Sequence, residues 1–277
     1  MPGEQYNQMM KYFYILLFLS GFHCLNAQNG APPAAGARAV AMGQTGATFT
    51  DINSIFANQA GLAHLESMAI TAYGEQRFLV SEIRSIGLGA ALPTASGTFG
   101  LTLHYFGFDQ YNEQRIGLAY GRKLLEKLSI GAQFLMLNTR IPEYGNKAVF
   151  TFEVGALAEL LPQLNLGFHL FSPARIQVTN EDNLPTVLKL GLSYLPSDKL
   201  TLLAELEKDI DYAARAKFGV EYQIAEPLFL RLGAATQPTS MSFGLGYALP
   251  NGLRLDIASS YHQVLGFTPA AGIIFNK

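Results

Sequence analysis

From about residue 67 to the C-terminus, the chain repeats one pattern: about ten residues in which every second side chain is apolar, then a turn. Leu128, Ile130, Ala132, Phe134 and Met136 share one side, and Ser129, Gly131 and Gln133 the other. Tyr212, Ala214, Ala216, Phe218, Val220 and Tyr222 alternate with Arg215, Lys217, Gly219 and Glu221, and Leu253, Leu255 and Ile257 with Arg254 and Asp256. Met241, Phe243, Leu245 and Tyr247 alternate with Ser242, Gly244 and Gly246. One side is uniformly apolar and the other small or charged. Some fourteen such segments of about ten residues predict an all-β fold: a transmembrane antiparallel β-barrel of the outer-membrane type.

No uninterrupted run of about 18 apolar residues follows the N-terminus, so the hydrophobic fraction of 49% must be deployed in strands rather than membrane helices. A soluble β-sandwich also alternates, and the connections separate the two. Pro93 to Gly97, Lys123 to Lys127, Leu161 to Gln163, Leu195 to Lys199, Ala225 to Pro227 and Leu249 to Gly252 are short. Each joins an even-numbered segment to the next odd one. Longer polar connections are expected on the other rim, at Glu75 to Ile83, Gly107 to Gln114, Asn138 to Lys147 and Pro173 to Pro185. Tight turns on one rim and longer loops on the other is how such barrels are built.

Lys11, an apolar stretch from Tyr12 to Leu19, and Leu25-Asn26-Ala27-Gln28 read as a signal peptide over residues 1–27, cleaved after Ala27. The mature product is expected in a Gram-negative outer membrane. The only cysteine, Cys24, falls within that leader, which leaves the mature chain without a disulfide. A net charge of −2 argues against nucleic-acid partners, which call for a basic surface. Tryptophan is absent, so an interfacial girdle must come from Tyr and Phe, such as Tyr105, Tyr120, Tyr194, Tyr222, Tyr247 and Tyr261.

Residues 28–66 precede the barrel at 67–277 and are rich in small residues, with a short helical stretch that Asp51 or Asn53 is placed to cap. Such a segment fits the barrel lumen as a hatch. Arg38-Ala39-Val40-Ala41-Met42-Gly43 and Asn58-Gln59-Ala60-Gly61-Leu62 resemble the start of the mature PorV/PorQ proteins of Bacteroidetes, within the wider FadL/TodX group of outer-membrane barrels. Arg38, Met42, Gly43, Asn58, Ala60, Gly61 and Leu62 carry the match, while Gln59 stands where that family usually has proline. The resemblance implies a fourteen-strand barrel plugged by this segment. It also implies support of type IX secretion, with secretion components or cargo as partners, or alternatively passage of hydrophobic small molecules, with outer-membrane lipid around either.

The residues speak to each role differently. Leu135, Leu137, Leu157 and Leu203 interrupt a polar lumen; they are the candidates for an apolar groove, though packing against the hatch is the preferred reading. Ile176, Val178, Phe106, Phe108 and Tyr111 sit where a partner would touch. Catalysis is not expected: the histidines, His23, His64, His104, His169 and His262, are scattered, with no Ser-His-acid spacing and no metal-ligand pair. No cofactor is implied, because glycine runs such as Gly87-Leu88-Gly89 alternate along strands without a following helix. Glu153, Glu159, Lys189, Glu205, Glu207, Arg215, Lys217, Glu221, Arg231, Arg254 and Asp256 all point inward in this register. They predict a lumen wall whose charges neutralise each other across strands and hold the hatch.

Overall fold

A computed structural model describes residues 32–143, 145–177 and 183–277. The segment expected to be a signal peptide, with Cys24, and Val178 lie outside the described residues. Fourteen antiparallel strands close into one barrel in which each strand pairs with its sequence neighbours and β14 pairs back onto β1. They are β1 Ala69–Gln76, β2 Arg84–Thr94, β3 Gly97–Phe108, β4 Tyr111–Leu125, β5 Leu128–Ile141, β6 Gly145–Leu161 and β7 Leu164–Phe171. Then come β8 Val187–Ser197, β9 Leu200–Asp209, β10 Arg215–Ala225, β11 Leu228–Ala235, β12 Ser240–Ala248, β13 Leu253–His262 and β14 Gly266–Asn276. Closure is what lets such a sheet sit in lipid, since every strand edge finds a partner.

The faces follow the alternation. Phe218 and Tyr222 are exposed outward at 53% and 45%, whereas their neighbours Lys217 and Glu221 are buried. Along β12, Met241, Phe243, Leu245 and Tyr247 face out and Ser242 faces in. Aromatic pairs such as Phe99–Tyr120 and Tyr261–Phe267, each with ring centroids 4.9 Å apart, stand near strand ends on the outer face.

The loop expectations need correction. The connection expected over Gly107 to Gln114 is strand almost throughout, β3 reaching Phe108 and β4 starting at Tyr111. Likewise β5 continues to Ile141 and β6 begins at Gly145, where a polar loop from Asn138 to Lys147 was expected. Polarity misled here, because a strand that rises past the bilayer no longer needs an apolar face. Residues Tyr212 to Ala214, expected to open a strand, belong to a turn closed by Tyr212 N–H donating to Asp209 O at 3.3 Å and Asp211 N–H to Asp209 Oδ1 at 3.1 Å. The long connections are 77–83, as expected from the sequence and carrying two 3-10 turns, and 172–186.

Inside the barrel, the segment before β1 forms a short helix α1, Gly36–Ala41, and two 3-10 turns, Ile52–Phe56 and Gln59–His64. Asp51 caps the first turn, its Oδ1 accepting from Asn53 N at 2.9 Å. Asn53 is therefore not the cap; its Oδ1 accepts from Thr71 Oγ1 on β1. Asn58 caps the second turn through Ala60 N–H. Ala39, Val40, Ala41, Met42, Ile52, Ile55 and Leu62 are wholly buried, so the core of this protein is the hatch within its wall.

Candidate functional site: the plugged lumen

Small wall residues let the hatch approach so closely. A Cβ built on Gly219 falls 2.7 Å from Met42 Cβ, and one on Gly244 falls 2.6 Å from Ala41 Cβ. On the hatch itself, Gly43 has φ +69°, and a Cβ there falls 2.7 Å from the carbonyl oxygens of Ala234 and Phe218.

Charge fixes the hatch on one side. Arg38 of α1 donates from Nη2 and Nε to the two oxygens of Glu221 on β10, at 2.6 and 3.0 Å, and from Nη1 to Asp51 Oδ2 at 2.8 Å. Arg231 on β11 bonds Glu221 through Nε and Asp256 on β13 through Nη1 at 2.6 Å. Arg254 completes the circuit, reaching Asp256 at 3.3 Å and Asp51 at 3.0 Å. Arg38, Glu221, Arg231, Asp256, Arg254 and Asp51 thus form a ring of alternating sign, neutral in sum. Such charge-assisted, partly bidentate bonds are about twice as strong as neutral ones. Burial by itself lowers the Arg38 guanidinium pKa, but Glu221 and Asp51 outweigh it and hold it above its ordinary value. Burial raises the Asp51 carboxyl, and the charges of Arg38 and Arg254 more than reverse this, leaving it below its ordinary value.

A second group extends the grip. Lys217 Nζ donates to Glu205 at 3.0 Å, Glu207 at 2.6 Å and Gln44 O at 3.1 Å. The far oxygen of Glu205 accepts the Gly46 and Ala47 N–H groups at 2.8 and 2.9 Å. Arg215 Nη1 reaches the Gln44 amide oxygen at 3.2 Å, and Ser242 accepts Gly43 N–H and donates to Ala41 O. On the opposite wall the bonds are mostly neutral. Asn58 Nδ2 donates to Ala156 O at 3.1 Å, His64 Nε2 lies 3.2 Å from Ser129 Oγ, and Gln59 Nε2 reaches Glu153 at 2.7 Å.

Above the hatch, towards the long-loop rim, lies a cavity of about 450 Å³. Pro32, Pro33, Phe78, Val187 and Tyr212 give it apolar patches beside Lys189, Glu207 and Arg215. Pro32 and Pro33 also line a second, far smaller space of about 20 Å³ with Ile55, Phe56, His104, Leu135, Glu153 and Phe171. Next to it Leu135, Leu137, Val149, Phe171, Leu184 and Val187 make an apolar cluster against which Ile176 packs.

The wall sites expected from the sequence sit as follows. Glu205, Arg215, Lys217, Glu221, Arg231, Arg254 and Asp256 all face the lumen, and they meet in the two groups above. Of the hatch motif, Arg38, Met42 and Gly43 lie against β10–β12, while Asn58, Ala60, Gly61 and Leu62 lie on the side of β4–β6. Leu203 packs with the hatch, but Leu135 and Leu137 join wall and loop side chains instead, a correction to their expected packing. Asp51, read from the sequence only as a cap, is also a ring member; a cap signal says nothing of the carboxylate's second oxygen. Gln59, the departure from proline, uses its amide to reach Glu153. Ser85 Oγ and His104 Nε2 come within 2.7 Å, which no spacing announced, yet His104 Nδ1 has no partner among the described residues and no acid completes a triad.

A closed wall with an apolar outer belt and a charged, plugged lumen defines an integral outer-membrane β-barrel. Solved structures share this fold. CymD, a monoaromatic hydrocarbon channel, superimposes with a TM-score of 0.69 at 13% identity, covering 91% of this chain and 99% of that one. The toluene transporter TodX of Pseudomonas putida gives 0.69 at 13% identity over 90% and 98% of the two chains. A FadL homologue of Pseudomonas aeruginosa gives 0.61 at 12% over 87% and 97%. No family model matches the sequence. No curated protein matches it either.

Proposed function

We propose that this protein, after removal of residues 1–27, is a hatch-gated outer-membrane passage for small apolar molecules, with residues 28–66 as the hatch and 67–277 as the barrel. The observation that carries this is the roughly 450 Å³ cavity above the hatch, which shares Pro32 and Pro33 with the small space beside Leu135 and Phe171. Pockets that hold small ligands have this size, and here apolar patches at Pro32, Pro33, Phe78 and Val187 stand among many charged side chains, Glu75, Arg77, Lys189, Glu207, Arg215 and Lys217 included. The hydrocarbon channels that share the fold support the reading. The ion groups on β9–β13 serve here as the hatch's mooring.

Support of secretion in the PorV/PorQ manner is the second reading, favoured by the Arg38–Gly43 motif. One experiment separates the two: extraction from membranes in mild detergent with identification of co-purifying molecules, alongside uptake of radiolabelled toluene by cells carrying the protein as their only hydrocarbon passage. A bound apolar ligand and faster toluene entry are expected. Unchanged entry together with a co-purifying secretion component overturns the passage reading in favour of the second.

A further inference from the structure

The lipid face differs from one side of the long-loop rim to the other. On β2–β5, three successive rows of outward side chains can be followed up the paired strands. The lowest, Leu88, Leu103, Ile116 and Met136, is wholly apolar and runs on to Phe150 of β6. Above it Tyr105, Gln114 and Asn138 follow Ile86 in register. The top row carries a cation on each flank. Arg140 pairs with Asn112, which pairs with Gly107, and Arg84, one residue beyond the Ser85–Phe106 pair, stands level with Gly107 on its other side. Both arginines are exposed, and three strand spacings put them about 14 Å apart. The ion pairs near this rim join Arg77 to Glu75, Arg115 to Glu113 and Arg175 to Asp211. Among the described residues Arg84 and Arg140 are in none, although Glu82, Asp109 and Glu143 lie in the connections above them. On the opposite wall the row Met241, Tyr261 and Phe267 is apolar up to the rim, and Val264 in the turn above is 84% exposed. Lys208 on β9 also points outward, but its Nζ donates to the Tyr212 carbonyl oxygen.

We infer that the outer face of β2–β5 binds a phosphorylated glycolipid of the outer leaflet, one whose headgroup is a disaccharide with a phosphate at each end. A cation beside lipid is costly unless it reaches the headgroup level and meets an anion there. Arg84 and Arg140 stand at that level, and each guanidinium can hold a phosphate through two parallel N–H donors. Their separation of about 14 Å suits phosphates held apart by two sugar rings, whereas a lipid with a single phosphate engages only one of them. Tyr105, Gln114 and Asn138 offer the sugars a ring face and two amides, and the apolar row below takes the acyl chains. The site uses only the outside of the wall, so it does not depend on what passes through the lumen.

Native mass spectrometry of the whole barrel in detergent, titrated with lipid A bearing two phosphates, tests this. Arg84→Gln and Arg140→Gln are each expected to weaken binding about fivefold, and the two together about thirtyfold. Arg175→Gln, which alters a rim arginine away from this face, should leave it unchanged. Lipid A with one phosphate should bind the unaltered protein about as weakly as the single variants bind the full lipid, and the double variant should not distinguish the two lipids. Both arginines are exposed and unpaired, so the variants are expected to keep the folded barrel's gel mobility and thermal midpoint. The comparison of lipids on the unaltered protein needs no substitution, and it decides the matter even if a variant misfolds. Equal affinity for the two-phosphate and phosphate-free lipids overturns the site, as does equal affinity of the unaltered protein and the double variant. Displacement by phosphatidylglycerol at matching concentration also overturns it, by reducing it to a general attraction for negative charge.

Discussion

Arg231 is wholly buried and bonds two carboxylates, Glu221 and Asp256, which makes its charge reversal the sharpest probe of the lumen wall. Arg231→Glu removes both bonds and places a third carboxylate between two others. Removing one partner of a buried ion pair costs about 3–5 kcal/mol, because the remaining charge loses its compensation, and reversal adds repulsion to that. Arg175→Glu is the control. Arg175 pairs with Asp211 at 3.0 Å on the rim, where the side chains are 53% and 58% exposed, and such pairs are worth about 1 kcal/mol at most. The difference, about 3 kcal/mol, corresponds to roughly 1 M in the urea midpoint for a slope near 3 kcal/mol/M. Unfolding from lipid vesicles, followed by the folded barrel's altered gel mobility, measures it. Coincident midpoints for the two variants would refute both the inward register of β11 and the compensation it provides.

Three further outcomes follow from the same geometry. Asp51 has its folded pKa held below the ordinary value of 3.8, so its contribution to hatch seating is full above that value and fades as pH falls through the lower folded value. Protease access to the hatch should therefore stay constant from pH 7 to about pH 4 and rise only in stronger acid, and Asp51→Asn should make it high and pH-independent over that window. Gly43→Ala forces a side chain into a left-handed backbone and against two carbonyls; a loss of about 1–3 kcal/mol is expected, read as a lowered thermal midpoint, and an unchanged midpoint counts against the close seating on β10 and β11. Phe243→Arg puts a charge on the lipid face, where about 2–4 kcal/mol at the bilayer midplane should reduce insertion into vesicles, whereas Ser242→Ala should insert normally.

The barrel was legible in the sequence because lipid imposes its rule on every second residue. Met241, Phe243, Leu245 and Tyr247 need no knowledge of their neighbours to declare an outer face, and tight turns at Pro162-Gln163 or Glu226-Pro227 declare a rim. The inward charges were legible for the same reason, since Arg231 and Glu221 have nowhere else to go. Strand ends were less so: above the bilayer at Ile141 or Phe108 the two-residue period loses its apolar partner, and strand reads as loop. What only the folded chain decided is who meets whom. The side-chain period fixes a face but not a stagger, and it is the stagger of β10, β11 and β13 that brings Glu221, Arg231, Asp256 and Arg254 to one height. The hatch's path then delivers Arg38 and Asp51, thirteen residues apart in sequence, to the two openings in that circuit. The gathering of Leu135 with Val149, Phe171 and Leu184 has the same origin. Contacts between segments far apart in the chain depend on how a closed wall is wound around its plug, and no local pattern of residues records that.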